Sequence, residues 1–412
     1  MATSTLNLLG TVSQINPPTN HLRATIPPMF DVATSRSKSK SQRDAEFRQA
    51  YYSFLDDCKW VLPSGDTVED TFFKAYFAKS TPPQVRNAIG NWTLLVGDSD
   101  MQDLFHPDDW PAILARVKPL PSLDLEIAEE LVQRFGSVTS TAQLVQVLQN
   151  CPPIDMQAPN ASDRRWVRRV LHHFLELHLQ QKFSNITDVK ERWFDVNIWG
   201  PIIDGCMISL PGVHLNRSEL VSQAYVLRKN RNRTDQSGRL QTGPKVDGLF
   251  HAVNNRGIEF GIIESAPRLS GGETSSKWLG DKTKMRKIMR DIFVQLAIEA
   301  KHDPRVVKDL EVVAYTTAGM KMQVLRMVRP TGYVLVVTED QPVTVPQEIT
   351  QFSELLLVLG LVLKSKAALT RSVAAFQTRF TGNEEALLDA LLNVGEVPDR
   401  DGSQLPFSAD TP

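Results

Sequence analysis

Cysteine is scarce in this 412-residue chain: Cys58, Cys151 and Cys206 are odd in number, far apart and in no CxxC pair. That argues against a disulfide framework and a thiolate zinc site, and points to a reducing compartment. Net charge is also lacking, with 46 Lys and Arg against 47 Asp and Glu. A uniformly basic coat is therefore excluded, and charge has to be read segment by segment. No apolar run approaches the roughly 20 residues of a membrane helix. The most apolar one, Leu355 to Leu363, reads as a buried helix, and no membrane contact is expected. No charged stretch followed by a long apolar one opens the sequence, so a secretory leader is not expected and the setting reads as intracellular, nuclear or cytoplasmic. His172, His173 and His178 have no carboxylate or cysteine at a metal-motif spacing, and His106 with Asp108 and Asp109 reads as a helix start.

What is present divides the chain. Residues 1–45, rich in Ser, Thr and Pro, end in a basic run from Ser35 to Arg43 and read as a disordered tail. That run is either a solvated tail or a nuclear-import signal. Residues 46–155 read as a mainly helical amino-terminal domain able to meet a protein partner, with helical patterns at Phe47 to Trp60 and Thr67 to Phe77. A short strand is expected between Asn91 and Gly97. Residues 160–395 read as an α/β domain, and 396–412 as a disordered tail. The domain opens with an amphipathic helix whose outer side carries Arg164, Arg165, Arg168 and Arg169, a face either solvated or laid on phosphates.

The chemistry concentrates in the middle of that domain. Glu191, Phe194, Asp195, Ile198 and Ile202 recur at three- and four-residue intervals and predict a helix from Thr187 to Cys206, kinked or ended by Pro201. Extended segments are expected at Ala224 to Leu227, Lys245 to Val253 and Gly257 to Ser265. Asn254-Asn255-Arg256-Gly257 is a hairpin turn signal, so the last two run antiparallel. The hairpin brings Asp247, near the start of one strand, beside Glu264, near the end of the other. Two carboxylates there are suited to one Mg²⁺ or Mn²⁺ through oxygen ligands; the alternative is a solvated pair at strand ends. A glycine-bearing stretch at Gly271-Gly272 and a helix from Lys277 to about Ala300 follow, with Lys277 and Lys284 two turns apart on one side. A strand at Leu310 to Thr316 and a second hairpin around Arg329-Pro330-Thr331-Gly332 complete an α/β core.

The order of a helix with Glu191 or Asp195, then Lys245-Val-Asp247-Gly, then Glu259-Phe-Gly-Ile-Ile-Glu264, then a helix, resembles the PD-(D/E)xK nuclease superfamily. Val196 to Pro201, Lys277-Trp278-Leu279 and Gly332-Tyr333-Val334 are also similar to an uncharacterised early-diverging fungal family, itself similar to the nuclease-like ends of Crinkler-type proteins. The resemblance covers roughly residues 160–365. It implies a mixed sheet flanked by helices in a restriction-endonuclease-like core and cleavage of phosphodiester bonds in DNA or RNA. It assigns metal binding to Asp247 and Glu264, and a helix acid to Glu191 or Asp195. One departure is plain: Glu264-Ser265-Ala266 stands where Glu-x-Lys is expected. Some relatives carry the lysine on the following helix, which makes Lys277 or Lys284 the candidate. A chain without a working lysine would instead be an inactive module of the same fold, binding nucleic acid or protein.

Arg228, Lys229, Arg231, Arg233 and Arg239, opposed by Asp235 alone, form the densest basic segment, just before Asp247. Such a segment is expected either to hold a phosphate backbone or to be an ordinary solvated loop. No aromatic ladder for single strands is interleaved with it.

Overall fold

The Asn-rich turn closes a β-hairpin as its sequence predicts, and the molecule is built outward from it. The computed structural model describes residues 39–184, 186, 189–231, 240–266, 276–378 and 404–406. In chain order the strands are β1 (Thr93–Leu95), β2 (Val213–Val221), β3 (Lys245–Ala252), β4 (Asn255–Ala266), β5 (Glu311–Ala318), β6 (Lys321–Val328), β7 (Leu335–Glu339) and β8 (Val343–Thr344). Among the described residues they form one eight-stranded mixed sheet, ordered β1-β7-β6-β5-β4-β3-β2, with β8 also paired to β6. The β3–β4 and β5–β6 hairpins are antiparallel, while β4–β5 and β1–β7 are parallel. A parallel neighbour needs a crossover, and the helix between β4 and β5 supplies it.

The helices preceding β2 are α1 (Lys40–Tyr52), α2 (Val68–Phe77), α3 (Pro83–Gly90), α4 (Ser99–Gln102), α5 (Asp109–Arg116), α6 (Leu125–Glu130), α7 (Thr141–Gln149), α8 (Ala161–Leu179), α9 (Glu191–Phe194) and α10 (Gly205–Met207). Those that follow are α11 (Gln223–Asn230), α12 (Ser276–Glu299), α13 (Pro304–Val307) and α14 (Phe352–Thr378). Every residue of β5 is buried, because α12 covers one face of the sheet and α14 packs beside the same central strands. The apolar run Leu355 to Leu363 lies in α14, with Leu355, Leu359 and Val362 fully buried. Among the described residues no helix is long and apolar enough to cross a membrane.

Several boundaries differ from the sequence reading. The tail expected to end at residue 45 gives way to α1 already at Lys40, because Ser39 and Gln42 close a reciprocal capping box. The regular elements of segment 46–155 are helices apart from β1, yet it does not stand alone: β1 pairs with β7, and buried Glu69 accepts N–H bonds from Trp60 at 2.9 Å and Tyr333 at 2.7 Å. Ser37–Pro412 accordingly forms one compact unit rather than two. At the other end, Gln404 to Pro406, expected to be tail, are docked. Leu405 is buried, and the Pro406 carbonyl accepts from the buried Arg290 at 2.8 Å.

Ala224 to Leu227, expected as a strand, is helical within α11. Ser222 caps it by accepting the Tyr225 N–H, and the Glu259 carboxylate accepts from the Ser222 hydroxyl and the Gln223 N–H at 2.6 Å. The strand of this region is instead β2, on the sheet edge, where polar residues at half-exposed positions hide the alternation. Pro201 neither ends nor breaks its helix. From α9 the chain passes through π-helical turns at Asp195–Asp204 into α10, so the wider turn takes the ring without a stop. The Pro201 carbonyl is held by the Trp166 indole at 3.0 Å.

The pairing of β3 shifts register once against β2 and twice against β4. On β2, Ser218 and Glu219 stand opposite the single residue 247, since Arg217 pairs with Gly248 and Leu220 with Val246. On β4, Gly261 pairs with Phe250 but Glu259 with His251, leaving Phe260 as the extra residue. Bulges of this kind re-aim side chains. Here the second puts Glu259 on the same sheet face as Asp247 and Glu264, the face under α11 and α12.

Candidate metal centre

The β3–β4 register continues from Gly248 opposite Ile263, which sets Asp247 opposite Glu264 at the open end of the hairpin. Asp247 Oδ2 accepts the backbone N–H of Ser265 at 2.7 Å, so its carboxylate leans across onto β4. Glu264 is mostly buried. Its Oε1 accepts from Lys284 Nζ, whereas Oε2 has no hydrogen-bond partner among the described residues. Burial pushes Glu264 up to about 7; the Lys284 ammonium pulls the other way, and the charges of Asp247 and Asp281 add to the rise.

Lys284 Nζ also donates to the Lys245 carbonyl at 3.1 Å, which ties α12 to β3 and β4 together. Of the two lysine candidates, the structure brings Lys284 onto Glu264. Lys277, the second residue of α12, is exposed and interacts electrostatically with Glu191 and Asp281. Position 266, where the family pattern has its lysine, holds a buried alanine that packs with Trp278 and Ala318 in a small apolar cluster of its own. A lysine there would have to displace the indole.

Glu191 stands at the start of α9. Its carboxyl is raised by burial first, then by the charges of Asp247 and Asp195, with Lys277 opposing. Asp195 is engaged differently: it accepts the Ser265 hydroxyl at 3.0 Å, and Arg217 Nη1 lies 3.8 Å away. Arg217 itself forks onto Asp204 at 2.9 Å and 3.0 Å. Its stem crosses β3 at Gly248, where an added Cβ would sit 3.3 Å from Arg217 Cδ and 3.1 Å from Ile263 Cβ. Any side chain there would press both neighbours back by a few tenths of an ångström.

Three participants escaped the sequence reading. Asp281 is raised by burial, with Lys284 and Lys277 lowering it and Asp247 raising it further. Its signal was available: 277, 281 and 284 fall on one helical stripe. Ser265 links Asp247, Asp195 and the Thr317 hydroxyl, the last at 3.0 Å. No pattern marks it beyond its place between Glu264 and Ala266. Arg217 lies on the strand that was not foreseen.

The donor chemistry suits a hard cation, because Asp247 and the orphaned Glu264 Oε2 are both carboxylate oxygens. The hairpin brings these two donors together among the described residues. Among the described residues no three His, Cys, Asp or Glu side chains stand together as a metal set. A bound ion would draw its remaining ligands from backbone, water or a substrate phosphate.

The basic segment before Asp247 is divided by the fold. Arg228, expected on the phosphate path, pairs with Asp291 at 2.8 Å with both side chains buried, and lies over the Tyr225 ring at 4.7 Å. It fastens α11 to α12 and is unavailable to a ligand. Lys229 lies 5.7 Å from the same ring, and Arg231 is exposed. Arg233 and Arg239 lie outside the described residues. On α8, Arg164 and Arg168 are committed to Glu130 at 2.7 and 3.0 Å, leaving Arg165 and Arg169 as its exposed cations. Asp109 near His106 is buried and accepts twice from Ser64, so it staples a loop. Compared with protein-family models, with curated proteins and with solved structures, the chain finds no match.

Proposed function

We propose that this chain is a nuclease-like protein that hydrolyses nucleic-acid phosphodiester bonds with one Mg²⁺ or Mn²⁺, in the manner of the PD-(D/E)xK superfamily it resembles. The observation that carries the reading is Lys284 Nζ on Glu264, beside Asp247, in a chain whose expected lysine position is alanine. Asp247 and Glu264 would hold the ion, whose contribution is to polarise the phosphodiester and lower the pKa of the attacking water. Lys284 reorients from Glu264 toward the scissile phosphate and offsets its developing negative charge. Glu191, kept protonated more readily by burial and by Asp247, is placed to hold or pass a proton at the edge of the site. Arg231, with Arg233 and Arg239, would meet the backbone of DNA or RNA.

A second reading has an observation of its own in favour. Lys284 pairs with one of the two carboxylate donors that the hairpin joins among the described residues, an arrangement that suits an inactive module that binds nucleic acid or a protein without cutting. The test is cleavage of plasmid DNA and of RNA with Mg²⁺ or Mn²⁺ by the native protein, Asp247→Asn and Lys284→Ala, alongside calorimetric titration of Mn²⁺. Cleavage and Mn²⁺ binding that both vanish in Asp247→Asn support the nuclease. Salt-sensitive nucleic-acid binding, with no cleavage and no Mn²⁺ heat, supports the binding module.

A further inference from the structure

At the opposite end of the central strands lies a second polar concavity with the reverse charge. Glu264 pairs with Thr316 on β5, and Thr316 with Gln323 on β6. Glu311, at the start of β5, pairs with Val328 at the end of β6. Five residues of strand thus separate the two ends, roughly 17 Å at about 3.4 Å per residue. There a cavity of about 330 Å³ opens between the carboxyl end of α5, the turn after α13 and the loop leaving β6. Its walls carry Arg116 and Lys118 from the first, Lys308 and Asp309 from the second and Arg329 from the third.

The rim is held from below. Buried Glu311 pairs with Arg326 at 3.0 Å, and Arg326 Nη2 donates to the Lys118 carbonyl at 3.1 Å. Asp309 accepts from Lys118 Nζ at 2.8 Å, and Arg329 Nε donates to the Gly332 carbonyl at 2.9 Å. The two remaining cations, Arg116 and Lys308, are exposed and have no carboxylate partner among the described residues. Among the described residues that line it, four are cations and one is a carboxylate, and Val328 with Pro330 supplies a small apolar floor. A volume in the range of small-ligand sites favours a compact anion over an extended backbone, which tracks a stripe of charge. One phosphate carries about −1.5 to −2 at neutral pH, less than the excess positive charge here.

From this convergence we infer an oligophosphate-binding site, formed by Arg116, Lys118, Lys308 and Arg329, that takes two or three linked phosphates. It is independent of the metal centre. The ligand is either a free chain of phosphates or the phosphate tail of a nucleotide. Calorimetric titration of the full chain with inorganic tripolyphosphate, with ATP and with a single-stranded DNA 12-mer tests it. The proteins are native, Arg116→Ala/Lys308→Ala and the charge-matched control Lys79→Ala/Lys301→Ala, whose side chains are exposed and do not line the cavity. Saturable tripolyphosphate binding at one site, weakened at least tenfold in Arg116→Ala/Lys308→Ala and unchanged in the control, is the expected result. ATP binding with the same dependence assigns the ligand to a nucleotide tail, and its absence to free oligophosphate. No saturable heat, equal loss in both double variants, or binding of DNA alone overturns the inference.

Discussion

The Nζ of Lys284, two turns into α12, donates to Oε1 of Glu264, the residue beside Asp247 on the hairpin. The contact unites a helix and a strand 20 residues apart in sequence. It stabilises Glu264 as a carboxylate in a place where burial favours the acid.

Lys284→Ala therefore has two expected effects. Cleavage falls at least a hundredfold if the nuclease reading holds, and Glu264, stripped of its cation, titrates above about 7. Removing one partner of a partly buried pair costs about 2 kcal/mol of stability, less than for a fully buried one. Lys277→Ala, at an exposed position, leaves the melting temperature within a degree or two of native. Plasmid cleavage and thermal melting of both variants check this, and equal loss in the two would refute the assignment of Lys284.

Stability should fall as pH rises through the acid range because of two buried glutamates. Glu259 is raised to about 7 by burial, against the Ser222 hydroxyl and the Gln223 and Ala224 N–H groups that favour its charged form. Glu264 is raised to about 7 as well. Both bind a proton more tightly folded than unfolded, so each contributes stability that is full below about 4.5 and lost as pH climbs to about 7. For Glu259 that amounts to about 3 kcal/mol at most. Glu259→Gln, which still accepts from the cap N–H groups, should flatten part of the slope of denaturant stability between pH 5 and 7.5. A slope identical to native in Glu259→Gln would exclude the residue as a cause.

Two arginines three residues apart should behave oppositely. Arg228→Ala removes the guanidinium paired with the buried Asp291 and is expected to cost about 3 to 5 kcal/mol. Arg231→Ala, at an exposed position, should change stability by no more than about 0.5 kcal/mol and lower nucleic-acid affinity with a shallower salt dependence. Urea unfolding and salt-series binding on both variants distinguish them; a stability-neutral Arg228→Ala would contradict the buried pair.

Gly248→Val is expected to unfold the site before the sheet. Its side chain would press on Ile263 and on the stem of Arg217, which must then release Asp204. A loss of about 2 kcal/mol and of cleavage is expected, with hydrogen exchange rising first in β2. Exchange unchanged in β2 would show that Arg217 does not depend on the glycine.

The hairpin turn and the two acids on its strands are legible in chain order alone. A turn of Asn-Asn-Arg-Gly predicts antiparallel pairing and returns Asp247 and Glu264 to the same end of the sheet, while the register that sets them opposite each other depends on the shifts at His251 and Ala252. Helical spacing likewise offered Lys277 and Lys284 together, and the apolar run of α14 announced its own burial. Only the tertiary structure chose Lys284, since which turn of a helix overhangs a strand depends on packing: Trp278 fills the space above Ala266, while position 284 reaches Glu264. The same holds for Arg228, whose charge reads alike whether it is solvated or buried on Asp291, and for β1, a three-residue strand without meaning until β7 pairs with it. Local geometry is written in nearest neighbours along the chain; burial and partnership arise from contacts between segments that the chain order does not place side by side.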